Sequence, residues 1–137
     1  MIHILDTNAV SALMRGDTRA IDRLGALAAA DVQVPEPVFA EIAYGIERLP
    51  RSRRKAALRD RLVLVRAELA TAAWTPAVSD AFGTIKAGLE RAGRRIEDFD
   101  AAVAAHALAI GATLVTANVK HMLRVSGLTV VDWSTPD

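Results

Sequence analysis

Short apolar runs that stop at a polar residue or a proline recur along this chain, and each gives way to a stretch with helical spacing. Residues 1–5 stop at Asp6, 31–34 at Pro35, 113–116 at the polar Thr116, and 128–131 at Asp132. A further short run at 72–74 precedes Pro76. Between them, Val38, Ile42, Ile46 and Leu49 form one helical face, and Leu58, Leu62, Val65 and Leu69 form another, read as a buried stripe. Helices are also expected from Ala9 onward, around Ile21, Leu24 and Leu27, from Pro76 to about Arg91, and from Glu97 to Ile110. Strands alternating with helices predict a parallel sheet covered by helices on both faces.

Such a sheet holds its ligands at the carboxyl ends of the strands, so the residues that end the runs are the first candidates for chemistry. In His3-Ile4-Leu5-Asp6-Thr7-Asn8, Asp6 stands where the strand leaves the sheet, and Thr7 and Asn8 can cap the following helix. Glu41 lies at the edge of the Val38–Leu49 face, with Gly45 leaving space beside it, and Asp100 lies in the first turn of the helix that begins near Glu97. Gathered on one rim, three carboxylates would repel one another and raise each other's pKa unless they share a cation. The chain has no cysteine and only three histidines, so an all-oxygen site points to a hard ion, Mg²⁺ or Mn²⁺. Such an ion activates water and offsets charge on a phosphate. Thr7, Asn8, Thr116 and Asn118 are the polar residues placed to hold water around it, although each also serves as an ordinary turn or cap residue. Asp98 is a rival to Asp100 for the metal, but its place just before the helix makes the N-cap its expected role.

Composition narrows the rest. The 137 residues suit one domain, 1–137, and 52% are apolar, much of that alanine, so closely packed helices are expected. The absence of cysteine fits a reducing cytoplasm. No basic leader followed by an apolar segment and no membrane-length apolar run is present, so a soluble, cytoplasmic protein with no membrane partner is expected. A net charge of +1 provides no general field for nucleic acid, so attraction must be local. Lys86, Arg94 and Arg95 flank Asp100 and are the expected RNA contacts if the substrate is a phosphodiester. The helix between Arg51 and Arg66 is strongly basic, a face that is either solvated or meets RNA or an acidic partner. No aromatic platform for stacked bases stands out.

These pieces together resemble the PIN-domain ribonucleases, specifically the VapC-type toxins of bacterial toxin–antitoxin pairs. The resemblance rests on Leu5-Asp6-Thr7-Asn8, Glu41 followed by Gly45, Asp100 in Phe99-Asp100-Ala101-Ala102-Val103, Leu114-Val115-Thr116-Ala117-Asn118, and Gly127-Leu128 with Asp132-Trp133, in order from end to end. It implies a three-layer α/β/α sandwich with a short, five-stranded parallel sheet. It also implies Mg²⁺- or Mn²⁺-dependent endonucleolytic cleavage of RNA, transfer RNA among the known substrates, together with a homodimer and inhibition by a VapB-type antitoxin. DNA is then bound only indirectly, through the antitoxin. By the same resemblance Asp6, Glu41 and Asp100 are the catalytic and metal-binding triad, and Asn118 is the polar residue after the fourth strand. Many PIN domains carry a further acid about three residues later, where this chain has His121, which puts a second metal in doubt. His106 falls on the opposite side of its helix from Asp100 and is expected in the core or hydrogen-bonded.

Two other readings compete. Asp6 can be the nucleophile of a phosphatase or phosphotransferase, but that chemistry usually has a second acid two residues on, where Asn8 cannot donate a proton as an acid. Alternatively the acids hold only a structural cation in a non-catalytic dimeric binding module.

Overall fold

A computed structural model describes residues 1–136; Asp137, the last residue of the expected single domain, lies outside them. The five strands are β1 (His3–Leu5), β2 (Val32–Pro35), β3 (Ala70–Ala72), β4 (Thr113–Val115) and β5 (Thr129–Val131). The helices are α1 (Thr7–Met14), α2 (Thr18–Gly25), α3 (Glu36–Glu47), α4 (Arg53–Glu68), α5 (Pro76–Arg91), α6 (Asp98–Ile110) and α7 (Val119–Met122). All neighbouring strands are parallel, in the order β3-β2-β1-β4-β5, and helices flank the sheet in an α/β/α sandwich. The third strand forms at 70–72 rather than at the expected 72–74, because the chain must leave the sheet before Pro76 opens α5.

This order contains one topological switch. From β1 the chain builds outward through β2 to β3, then returns to the other side of β1 as β4 and continues to β5. The connections leaving β1 and β4 therefore run in opposite directions, which opens a crevice at their carboxyl ends. Register aligns Leu5 with Val115 and Val115 with Val131. The residues following them, Asp6, Thr116 and Asp132, consequently leave the sheet side by side.

The core is built on the two inner strands and α6. Ile4, Leu5, Leu114 and Val115 are essentially inaccessible, and Ala101, Ala102, Val103, Ala104, Ala105 and Ala107 are buried along α6. Small side chains all round this helix let its backbone approach the sheet, α3 and α5 closely, which accounts for the alanine content. Gly111 ends α6 in the left-handed conformation at φ +65°, and the next amide, Ala112, returns a hydrogen bond to Ala107 O.

The stripe expected to be buried on α4 is only partly so. Leu58, Leu62, Val65 and Leu69 pack against the core, but no residue of α4 is fully buried and Val63 and Leu64 are exposed. The helix packs mainly on α1 and α3 at the periphery and meets the sheet at its edge strand β3. Its cations are partly consumed within the molecule. Lys55 and Arg59 meet Glu47, Arg66 meets Glu36 and stacks over Phe39, and Arg61 donates to Met14 O.

Candidate metal centre and its surroundings

Asp6 is the residue on which the centre is built. It was expected to be followed by capping residues, yet it is itself the N-cap of α1, and Thr7 and Asn8 are the first two helical residues. Leaving β1 in an extended conformation, it accepts from the Ala9 amide at 2.9 Å through its side chain and from the Val10 amide through its carbonyl. Its own amide donates to Val115 O, locking it to β4. Thr116, buried beside it, favours the ionised carboxylate through its side-chain hydroxyl.

The site therefore holds a carboxylate only 5% exposed. Burial pushes the Asp6 carboxyl up to about 6, against the pull of the Thr116 hydroxyl and the Ala9 amide, and the charge of Asp100 adds to the rise. Asp100, half-buried in the first turn of α6, is also raised, first by desolvation and then by the charge of Glu41, with His121 opposing. Glu41 completes the set from α3, and its Oε1 accepts a hydrogen bond from the Thr7 hydroxyl.

Electrostatically the three acids form one group, but their side chains do not all converge. Among the described residues no three His, Cys, Asp or Glu side chains are disposed together as ligands. Glu41 is held by Thr7, while Asp100 Oδ2 faces Asn118 Nδ2 at 3.5 Å. Asn118 also contacts His121 Nδ1 at 2.9 Å through the same nitrogen, and its amide donates to Thr116 Oγ1. Among the described residues no lysine or arginine forms an ion pair with Asp6, Glu41 or Asp100. The donor set is thus oxygen-rich, mutually repelling and without a lysine or arginine counter-charge among the described residues, with Asp6 buried and Glu41 and Asp100 partly so. It fits a hard divalent cation.

Asp98 does not cap α6. The N-cap position belongs to Glu97, with no side-chain bond to the helix, and Asp98 is drawn outward by Lys86 Nζ at 3.0 Å. That pairing also occupies Lys86, one of the expected RNA contacts. Arg94 and Arg95 are exposed, and their carbonyls are held by the guanidinium of Arg124, a residue that no local pattern singled out. Phe99, next to Asp100 in sequence, is 45% exposed. His106 is in the core as expected, edge-on to the Trp74 ring at 5.2 Å, with Nε2 lacking a hydrogen-bond partner.

Helix α1 forms a ridge between two clefts that open beside the acids. One, of about 350 Å³, runs between α1, α3 and the start of α4 and includes Thr7, Glu41, Gly45 and Leu58. The other, of about 330 Å³, lies between α1, α2, the loop after β4 and the C-terminal turn. Arg15, at the end of the ridge, lines both. It was not foreseen, although its spacing from Asn8 through Ala12 is helical.

The profile of the family described as PIN domain matches residues 3–128. The chain is 30% identical over 135 residues to Ribonuclease VapC2 of Rickettsia felis, covering 97% of this chain and 98% of that protein. It is 28% identical over 131 residues to the tRNA(fMet)-specific endonuclease VapC of Shigella flexneri, covering 96% and 97%. Among solved structures, VapBC2 from Rickettsia felis bound to a DNA fragment from its promoter contains a chain that superposes with a TM-score of 0.86 at 27% identity, covering 97% of this chain and 99% of that one.

Proposed function

The chain belongs to the PIN-domain family, and from that premise we propose that it is a VapC-type endoribonuclease, the toxin of a toxin–antitoxin pair. The observation that carries this reading is the carboxylate group at the β1/β4 switch point, with Asp6 buried and no lysine or arginine paired among the described residues, in a chain alignable from end to end with two VapC nucleases. Residues 1–137 act as one domain in it.

Asp6 and Asp100 would hold a divalent ion, Mg²⁺ or Mn²⁺, and Glu41 would join them through the carboxylate oxygen that Thr7 does not engage. When bound, the ion supplies Lewis acidity toward water and the phosphodiester. The chain's own residues do the rest. The amide of Ala9 fixes one face of the Asp6 carboxylate, and the hydroxyl of Thr116 favours its ionised form. Asn118 orients Asp100 and, with Thr7 and Asn8, offers polar groups to ordered water. His121 touches the site only through Asn118 and weakens the negative field at Asp100. Exposed Arg94 and Arg95 supply positive charge for the RNA backbone beyond the acids.

The proposal includes a VapB-type antitoxin as the partner that restrains this activity, a homodimer, and a cytoplasmic location where RNA is at hand. Support for the partner comes from the structural neighbour, itself a VapBC complex bound to promoter DNA, so DNA would be contacted through the antitoxin. Among the described residues no helix is long and apolar enough to cross a membrane. A nucleophilic Asp6 is disfavoured, because its carboxylate is buried and one oxygen already serves α1.

The test is incubation of antitoxin-free protein with a transfer-RNA mixture in Mg²⁺, Mn²⁺ or chelator, beside Asp6→Asn. Metal-dependent fragments that the variant does not produce are expected. Cleavage that survives in chelator or in the variant would overturn the reading.

A further inference from the structure

The cleft on the α2 side of the ridge has features that the metal site does not require. Asn8, Ala12 and Arg15, spaced by four and three residues, present one stripe of α1 to it. Asn8 stands at the end nearest Asp6 and Arg15 about 10 Å further along the helix. Neither the Asn8 carboxamide nor the Arg15 guanidinium makes a hydrogen bond or ion pair among the described residues, and Ala12 between them keeps the cleft open. The opposite wall is the C-terminal turn, which is fixed from α2. Arg19 donates to Ser134 O at 2.9 Å, and Arg23 to Asp132 O and Thr135 O. Asp132 braces the turn further by accepting from Ser134 N and Oγ. Trp133, almost fully buried, lines the cleft, and Thr116 connects it to the metal centre.

We propose that this cleft seats the nucleotide adjacent to the scissile phosphate of a single-stranded RNA, with Arg15 binding the next phosphate along the strand. The inference rests on the ribonuclease reading and adds a substrate subsite to it. A volume of about 330 Å³ accommodates one small-molecule-sized unit and excludes a duplex. Among the described residues that line the cleft, Arg15 is the one cation and Asp17 and Asp132 are the acids, each with Oδ1 engaged in the fold and Oδ2 without a protein partner. A phosphate therefore belongs at Arg15, and the base belongs against the acids. Carboxylates accept from exocyclic amino groups, as in the pairing of Asp or Glu with cytosine N4. Cytidine is then favoured over uridine, two bases of similar size that differ at that position.

The experiment is fluorescence anisotropy of labelled oligocytidylate and oligouridylate with the full chain in chelator, where binding is read without cleavage. Expected are tighter binding of the cytidine oligomer and a roughly tenfold loss for Arg15→Ala. The slope of log affinity against log salt should fall by about 0.7, one phosphate contact on a single strand. Arg15 also lines the other cleft, so Ala117→Trp provides the separate control. Ala117 is exposed and lines only the cleft proposed here, and filling it should weaken binding as well. Unchanged affinity in both variants overturns the subsite, and equal binding of the two oligomers overturns the placement of the base. Failure of the parent reading looks different: wild-type protein would leave RNA uncut in either metal, whatever the binding assay gives.

Discussion

The hydroxyl of Thr7 donates to the carboxylate of Glu41, joining the first residue of α1 to the middle of α3 across 34 positions of sequence. Asp6 immediately precedes that hydroxyl, so this bond ties together two of the three elements that carry the candidate ligands, α6 with Asp100 being the third. Thr7→Val preserves shape and removes the donor. It should lower stability by about 1.5–3 kcal/mol, the range for a hydrogen bond to a charged group. It should also reduce metal-dependent cleavage roughly tenfold, because Glu41 loses its registration with Asp6. Urea denaturation and a Mn²⁺ titration of activity check the two effects; loss of stability with an unchanged titration would leave Thr7 a structural role only.

Asp6 carries an energetic cost that the fold sustains. Its folded pKa, about 6, lies above the ordinary 3.8, so between those values the folded protein binds more protons than the unfolded chain. The destabilising contribution therefore grows as pH rises through that window and is complete above it, at about 3 kcal/mol for a two-unit shift. In chelator at pH 7.5, Asp6→Asn should raise Tm by roughly 10 °C while abolishing cleavage. At pH 4 the difference should nearly vanish. A lower Tm for the variant at pH 7.5 would contradict the account.

His106 acts in the opposite sense. Burial lowers its pKa below 6.5, so the unfolded chain takes up the proton first and stability falls as pH drops below that value. In the wild type this offsets the gain from Asp6 over much of the same range, and only variants separate the two. His106→Leu, which keeps the packing against Trp74 and removes the unpaired Nε2, should make stability rise more steeply on acidification from pH 6.5 to 5. Parallel stability–pH curves for the variant and wild type would exclude it.

Much of this was legible in the sequence because it depends on local pattern. Polar residues that end apolar runs mark strand ends, and parallel register then sets Asp6 beside Thr116. Helical spacing placed Glu41 at the edge of an apolar face. Contacts between distant segments left no such trace. Arg19 and Arg23 reach carbonyls more than 100 residues away, and any exposed arginine has the same sequence signature. The cap of α1 was misplaced by one residue because Asp6, Thr7 and Asn8 are all good caps, and only the backbone turn at Asp6 decides among them. The stripe on α4 was read as core since periodicity reports amphipathicity and not depth.

Asp98 and Asp100 are two residues apart, and their surroundings separate their roles. Asp98 is exposed and pairs with Lys86 at 3.0 Å, whereas Asp100 is half-buried beside Asn118 and senses the charge of Glu41. An exposed pair contributes little, so Asp98→Ala should change stability by less than about 0.5 kcal/mol and leave the metal dependence of cleavage as in the wild type. Freed from its partner, Lys86 becomes available to phosphate, and the KM for RNA should fall slightly or stay constant. Asp100→Ala should reduce kcat at least about a hundredfold, with a Mn²⁺ midpoint shifted to higher concentration. Measuring both variants across a Mn²⁺ series decides the assignment. A shifted midpoint in Asp98→Ala would make Asp98 a ligand, and it would require α6 to turn its first residue inward when metal binds.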